Sequence, residues 1–278
     1  MLRLSGSALH EAARHCDGHM TCLLALPEPP LDGPNPIGES FLEDLSVQAG
    51  VELDLRRSRV FRQGRAGGLL ALKQAVALLA ERREAYVLVG GVDSHLDFQV
   101  LAELDAQERL RASSGPSDSF IPGEGAAFLL LGSPGSGRRL RIDPQAHLLG
   151  VGTGFEQGHR FSAHPHLGEG LADAFRVLFA SLPPAAGQIR CVYAGLNGES
   201  FWAKDWGVAY QRNARRFAEQ FHIEHPVEFL GDPGAALGPL MVGLATIGVR
   251  KGYREAPCLV WCASDQGACA AALIAGIR

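Results

Sequence analysis

The stretch GRAGGLLALKQAVALLAERREAYVLVGGVD, residues 64–93, opens with a glycine, one charged residue and three small ones. Apolar residues then fall at 69, 70, 72, 76, 78 and 79, which is helical spacing. The charged turn ERRE (81–84) separates this helix from AYVLVGGV (85–92), a continuous apolar run of the kind that forms a strand covered on both faces. Glycine-rich turns between a strand and a helix bind anions or present a nucleophile. Here the exposed position carries Arg65. A dinucleotide-type phosphate cradle does not fit, because GxGxxG is missing and no acidic residue ends a strand about 20 positions on.

The same outline returns later in GDPGAALGPLMVGLATIGVRKGYREAPCLVWCASD, residues 231–265. Gly231 stands 167 positions after Gly64, and each segment has a glycine, a charged residue, small residues, an apolar helix, a basic turn and a buried strand. Two copies imply two related halves, 1–145 and 146–278, packed about a pseudo-two-fold axis as one unit. Arg65 and Asp232 then hold equivalent positions, and the small residues let two helix N-termini meet closely. The plainer alternative is that all α/β units share this outline.

Outward from the repeat, SALHEAARH (7–15) predicts a helix capped by Ser7, and MTCLLALPEPP (20–30) a buried strand stopped by prolines. FLEDLSVQAG (41–50) predicts a helix ending at Gly50, and RVFRQ (59–63) a short strand. A helix near 97–110 precedes the strand AAFLLLG (126–132), and SPGSGRR (133–139) reads as a hairpin turn into LRIDPQAHLLGVGTG (140–154). In the second half the pattern predicts a helix over 168–182, a strand over 188–196, a long amphipathic helix over 201–219 and a strand at PVEFL (226–230). APCLVWCAS (256–264) and ACAAALIAG (268–276) read as a strand and its hairpin partner. Strands alternating with helices argue for an α/β layered fold with a mainly parallel sheet.

Composition narrows the class. The chain has 278 residues, 46% of them hydrophobic and 20% charged, with a net charge of −4. That suits a globular core and gives no electrostatic reason for nucleic acid or an acidic membrane. The six cysteines are scattered without a CxxC pair, which fits buried thiols in a reducing compartment rather than a disulfide framework. The N-terminus MLRLSGSALHEAARH has polar breaks too early for a signal peptide, so a cytoplasmic location is expected.

The duplicated plan, LVGGVD (88–93) and above all FIPGEGAAFLLL (120–131) resemble the β-ketoacyl synthases of the thiolase superfamily. The resemblance implies a thiolase-like duplicated βαβ fold in five layers, α-β-α-β-α, N-terminally shortened, with the first strand and helix of the first half missing. It implies two ketosynthase-like halves and a loop arginine, Arg109 or Arg111, before the PGEGAA segment. It also implies a dimer formed through SRVFRQ (58–63), as a homodimer or as a heterodimer with a ketosynthase. The partners it suggests are acyl-carrier protein or acyl-CoA.

In that family a cysteine at the N-terminus of the buried helix takes the acyl group, and two histidines, or a histidine and an asparagine, assist decarboxylation and condensation. A helix N-terminus lowers a thiol pKa and supplies an oxyanion hole. Carried over by the resemblance, the nucleophile falls on Arg65, one histidine on Asp232, the other near Gly195, the family lysine on Val227, and the phenylalanine-bearing segment on ASDQGACAA (263–271). Arginine stays protonated and is no nucleophile at neutral pH. The expectation is a β-ketoacyl-synthase-like protein of fatty-acid or polyketide-type metabolism that does not condense, either a pseudoenzyme or a partner of an active ketosynthase. The alternative is an acyl-transferring or acyl-hydrolysing enzyme that uses the same cleft without a cysteine, with Glu199 or Asp232 as base.

Packing as in the family brings Arg65 to Asp232 as a charge pair; the other possibility is an arginine in solvent. Asn197, Glu199 and His95 are candidate polar groups of the cleft, although NGES also suits a turn. His159, His164 and His166, with Glu169 near, lie in HRFSAHPHLGE, where a solvated loop is expected in place of a metal site. Trp202 and Trp206 read as packing, and Cys258, Cys262 and Cys269 as buried thiols. Neither a cofactor nor a metal is expected.

Overall fold

The computed structural model describes residues 1–16, 18–112, 115–137 and 141–277. The end of the turn expected at 133–139 and the first residue of the strand expected from 140 lie outside them. The first half holds α1 (Leu2–Ala13), β1 (Cys22–Ala25), α2 (Phe41–Ala49), β2 (Arg59–Phe61), α3 (Gly64–Ala80), β3 (Tyr86–Ser94), α4 (Phe98–Ala106) and β4 (Glu124–Gly132). The second holds β5 (His147–Phe155), α5 (Glu169–Ser181), β6 (Ile189–Ala194), α6 (Ser200–Asn213), β7 (Phe217–Glu224), α7 (Val227–Leu230), α8 (Leu237–Arg250), β8 (Cys258–Ala263) and β9 (Ala268–Ala275).

The strands form two sheets, ordered β2-β1-β3-β4 and β5-β9-β8-β6-β7. In the first, β1 is parallel to both neighbours and β4 runs antiparallel to β3. In the second, β6 is parallel to β7 and β8, and β9 runs antiparallel to β8 and β5. Laid on one another, β2-β1-β3-β4 match β7-β6-β8-β9, so the repeat seen in the sequence is a repeat of the fold. The counterpart of β5 is missing among the described residues. The counterpart of α5 is present as α1, directly before β1, which corrects the expectation that this helix is missing.

Three apolar cores separate five layers. α1 and α2 pack on the outer face of the first sheet through Leu9, Leu24, Leu42, Leu45 and Leu88. The central core joins both sheets to α3 and α8 through Leu69, Leu72, Val89, Met241, Val260 and Ala272. The outer face of the second sheet meets α5 and α6 through Phe175, Leu178, Trp202, Leu259 and Trp261. In this last core the indoles of Trp206 and Trp261 stack 5.9 Å apart at 1°. The order is therefore α-β-α-β-α, with α3 and α8 between the sheets.

The two central helices touch where the sequence is smallest. A Cβ on Gly68 would lie 2.2 Å from Pro239 Cδ, and one on Gly91 of β3 would lie 2.1 Å from the carbonyl oxygen of Ala235 in the turn ahead of α8. Only glycine allows that approach. It is the reason the small residues recur at both helix starts.

Four local expectations fail. β4 and β5 lie in different sheets, so they do not form the expected hairpin. Ser7 lies inside α1, whose N-cap is Met1. The long helix over 201–219 stops at Asn213, and a 3-10 turn at 214–216 leads into β7. Phe217 and Phe221 there pack around Trp206 and Tyr210, and pairing with β6 satisfies the backbone, so tertiary packing overrides helical periodicity. PVEFL is the one-turn helix α7 rather than a strand. No described helix is long and apolar enough to cross a membrane.

Candidate functional site

The site lies where the C-terminal ends of the parallel strands meet the start of α3. Loops that follow parallel strands converge there, and such ends are the usual ligand crevice of an open α/β sheet. Glu28 follows β1, Asn197 and Glu199 follow β6, and Asp265 follows β8. Arg65 is the second residue of α3, and Asp232 occupies the matching place ahead of α8.

Arg65 and Asp232 do meet. Arg65 Nε lies 3.2 Å from Asp232 Oδ2, with both side chains buried. This is an ion-pair contact without hydrogen-bond alignment at Nε. The Nη2 of Arg65 donates to the Gly195 carbonyl oxygen, and its guanidinium carbon sits 4.9 Å from the Trp202 ring centre. Asp232 Oδ2 also accepts from Asn197 Nδ2 at 3.0 Å, and Oδ1 accepts from the Gly234 amide at 3.0 Å. Burial pushes the Asp232 carboxyl up, but Arg65, His95, Asn197 and the Gly234 amide outweigh it and hold it below the usual range.

A second cluster adjoins the first. Arg109 grips Glu199 with two parallel bonds, Nε to Oε1 at 2.8 Å and Nη2 to Oε2 at 2.9 Å, and reaches Asp265 with Nη1 at 2.8 Å. Arg160 binds the same two acids, Nε to Asp265 Oδ1 at 3.1 Å and Nη2 3.0 Å from Glu199 Oε1. Trp202 Nε1 donates to Glu199 Oε2 at 3.0 Å. Asn197 links the clusters, because its Nδ2 also donates to Glu199 Oε2 at 3.1 Å. For Asp265, burial is outweighed by Arg109 and Arg160, so its carboxyl is held low; for Arg109, its two acids outweigh burial and hold it charged.

Glu28 accepts from the amides of Asp265 and Gln266 at 3.1 and 3.0 Å. Burial and the neighbouring Asp265 nevertheless push its carboxyl up to about 7. Counting these residues gives three guanidiniums, Arg65, Arg109 and Arg160, against four carboxyls, Glu28, Glu199, Asp232 and Asp265. With Glu28 protonated the set is neutral, so the raised value follows from charge balance as well as burial.

The helix start is occupied too. The Ala66 amide, at the first turn of α3, donates to Ser264 Oγ at 2.8 Å, and Ser264 Oγ donates to the Gln63 carbonyl at 2.6 Å. A helix N-terminus leaves such amides free for an anion. This one is spent on a side chain from the other half. Cys262 is near enough to feel both Arg65 and Asp232, but burial pushes its thiol up to about 12. A protonated thiol of that kind is not a nucleophile.

The remaining candidates sort as follows. His95 Nδ1 lies 2.9 Å from the Asp232 carbonyl oxygen, which puts the ring at the rim. Asp93 Oδ2 accepts from the Ala235 amide at 2.8 Å, and burial pushes its carboxyl up. Of the two loop arginines, Arg109 belongs to the site, whereas Arg111 binds the Ser117 carbonyl at the surface. Val227 is a core residue of α7. His166 lies apart from the site, against Asp205. Trp202, read from sequence as packing, is both core and hydrogen-bond donor. Asp265, Glu28 and Arg160 were missed. Their signal is position: two acids directly after apolar strands, and an arginine among the loop histidines.

The profile of the β-ketoacyl synthase N-terminal domain matches residues 64–134, beginning at the α3 glycine. The fold matches solved ketosynthases over almost its whole length. The ketosynthase from module 6 of the Bacillus subtilis bacillaene synthase superposes with a TM-score of 0.79 at 15% identity. That match covers 98% of this chain and 58% of the other. The chain has the fold of these ketosynthases.

A β-ketoacyl synthase from Burkholderia phymatum gives 0.75 at 17% identity, covering 100% of this chain and 81% of that one. A type II polyketide ketosynthase solved with its acyl-carrier protein gives 0.76 at 14%, covering 95% and 80%. No curated protein shows significant sequence similarity to it. The chain spans a little over half the length of the bacillaene synthase ketosynthase it matches.

Proposed function

We propose that this ketosynthase-like protein serves fatty-acid or polyketide-type metabolism without forming carbon–carbon bonds, as a pseudoenzyme or as the partner of an active ketosynthase. The observation that carries the reading is the buried Arg65–Asp232 pair. By the resemblance, these residues stand where the acylated cysteine and a histidine would be, and here each neutralises the other. Three further features support it. The first-turn amide of Ala66 is bonded to Ser264, Cys262 is held as a thiol, and Glu199 is fixed by two arginines. Asp232 is a stabilised carboxylate, a poor proton acceptor, so the hydrolytic alternative gains nothing from this geometry.

The partner we propose is an active ketosynthase or a second copy, joined through the β2 edge. A groove of about 890 Å³ runs along that edge, lined by Arg59, Phe61, Arg62, Glu39 and Leu55. Acyl-carrier protein is the proposed cargo carrier and the cytoplasm the proposed location. The deciding experiment incubates the full chain with acyl-CoA and with acyl-loaded carrier protein, followed by intact mass measurement. An unchanged mass is expected. A stable acyl adduct on any residue would overturn the proposal.

A further inference from the structure

Away from the arginine network, three side chains with metal-ligating atoms converge below the N-terminus of α5. These are Glu156, at the end of β5, His166, in the loop before α5, and Asp205, on α6. One ligand atom from each lies within 4.8 Å of the other two. Glu156 is 4% exposed and Asp205 1%. His166 Nε2 is 2.6 Å from Asp205 Oδ1. Its ring stacks on Phe201 at 3.7 Å and 7°, which fixes the direction of that nitrogen.

The hydrogen bonding in this cluster is incomplete in a way that points to an ion. Glu156 accepts three amides: Gly158 and Leu167 on Oε1, and Gly170 on Oε2. A carboxylate offers about four lone-pair sites, so one remains on Oε2. Asp205 uses only Oδ1; its Oδ2 is buried with no partner among the described residues. An unsatisfied buried carboxylate oxygen is costly.

The charge balance points the same way. The two acids sit together with one imidazole; the nearest cation of α6, Lys204, is directed to the His166 carbonyl, and Arg212 to Glu169. Two carboxylates, a neutral imidazole and one divalent cation sum to zero, whereas protonating the imidazole alone leaves a buried negative charge.

We propose that Glu156, His166 and Asp205 bind one divalent metal ion of the zinc class. The ligand set, one imidazole nitrogen and two carboxylate oxygens, suits such ions and leaves a position for water. At metal–ligand bonds of about 2.0–2.1 Å, tetrahedral ligands stand about 3.3 Å apart. The ion therefore replaces the short His166–Asp205 hydrogen bond and opens that pair slightly. Its role is to clip the 156–168 loop, and with it Arg160, onto α6. The histidine-rich loop alone gave no metal site from sequence, because two of the three ligands come from outside it.

The test uses the full chain, stripped with chelator and desalted, and titrated with Co²⁺ followed visibly and with Zn²⁺ followed by calorimetry and elemental analysis. One ion per chain is expected, with the absorption of a four-coordinate nitrogen–oxygen site and a higher melting temperature. His166→Gln and Asp205→Asn lose at least about tenfold in affinity, while His164→Ala, an exposed histidine of the same loop, keeps it. Circular dichroism checks that the variants fold. If either does not, the wild-type titration decides. Substoichiometric uptake by wild type at about 100 μM free ion overturns the site, and so does unchanged affinity in both folded ligand variants.

Discussion

The strongest demand on the structure falls on Arg65→Met. Methionine keeps the apolar packing and removes the charge. Asp232, 1% exposed, then loses its ion-pair partner, while the Gly195 carbonyl loses its donor. Breaking a buried pair by removing one partner costs about 3–5 kcal/mol. Asp232 keeps Asn197 and the Gly234 amide, so the lower end applies, and the stranded carbonyl adds about 1 kcal/mol. We expect a loss of about 4 kcal/mol at neutral pH, read by urea unfolding at constant m. In wild type the Asp232 carboxyl is held low, so its contribution is present above the ordinary aspartate range and fades as pH falls through its folded value. Without Arg65, burial dominates and the carboxyl rises. The variant therefore takes up its proton earlier, and its deficit shrinks on acidification towards about pH 4. Asp232→Asn in the Arg65→Met background should recover part of the loss, giving a coupling of about 2 kcal/mol or more in a double-mutant cycle. A cost of less than about 1 kcal/mol for Arg65→Met, or a coupling near zero, would refute the account of the pair.

Three further outcomes follow from the same geometry. Arg65→Cys alone should stay unacylated by acyl-CoA in intact mass measurements, because the Ala66 amide remains bonded to Ser264 and Asp232 is no histidine. Glu28→Gln should gain stability over wild type as pH rises from about 4.5 through 7, by up to about 3 kcal/mol, since a carboxyl raised to about 7 destabilises the fold once it ionises; a pH-independent difference in unfolding free energy counts against it. Gly68→Ala should cost about 1–3 kcal/mol by urea unfolding, because its Cβ falls 2.2 Å from Pro239 Cδ, and a neutral result would mean that α3 and α8 are not in register.

Much of the architecture was legible because it rests on repetition. The glycine, charge and small-residue signature at 64–68 recurs at 231–236, and α3 against α8 is the contact it predicted. What failed was local. PVEFL has strand-like composition but only one turn of space between β7 and Asp232. Residues 214–219 continue a helical period that the aromatic cluster around Trp206 and Tyr210 cuts short. At the site, Arg65, Asp232 and Gly195 could be named because repeat and resemblance gave each a place, and Asn197, Glu199 and His95 because they are polar residues following apolar strands. Glu28, Asp265 and Arg160 could not, since their partners lie about 40 to 240 positions away and a place after a strand does not by itself single out an acid.

The three tryptophans of the chain, at 202, 206 and 261, all belong to the second half. Trp202 touches Arg65 and Arg160 and donates to Glu199, while Trp206 and Trp261 stack in the outer core. Indole fluorescence is therefore a one-sided reporter. It registers the charged network and the second sheet, and it is silent to an opening confined to α1, α2 and the first sheet. Far-ultraviolet dichroism sees both halves, so a lag between the two signals during denaturation measures how far the duplicated halves come apart as separate cooperative units.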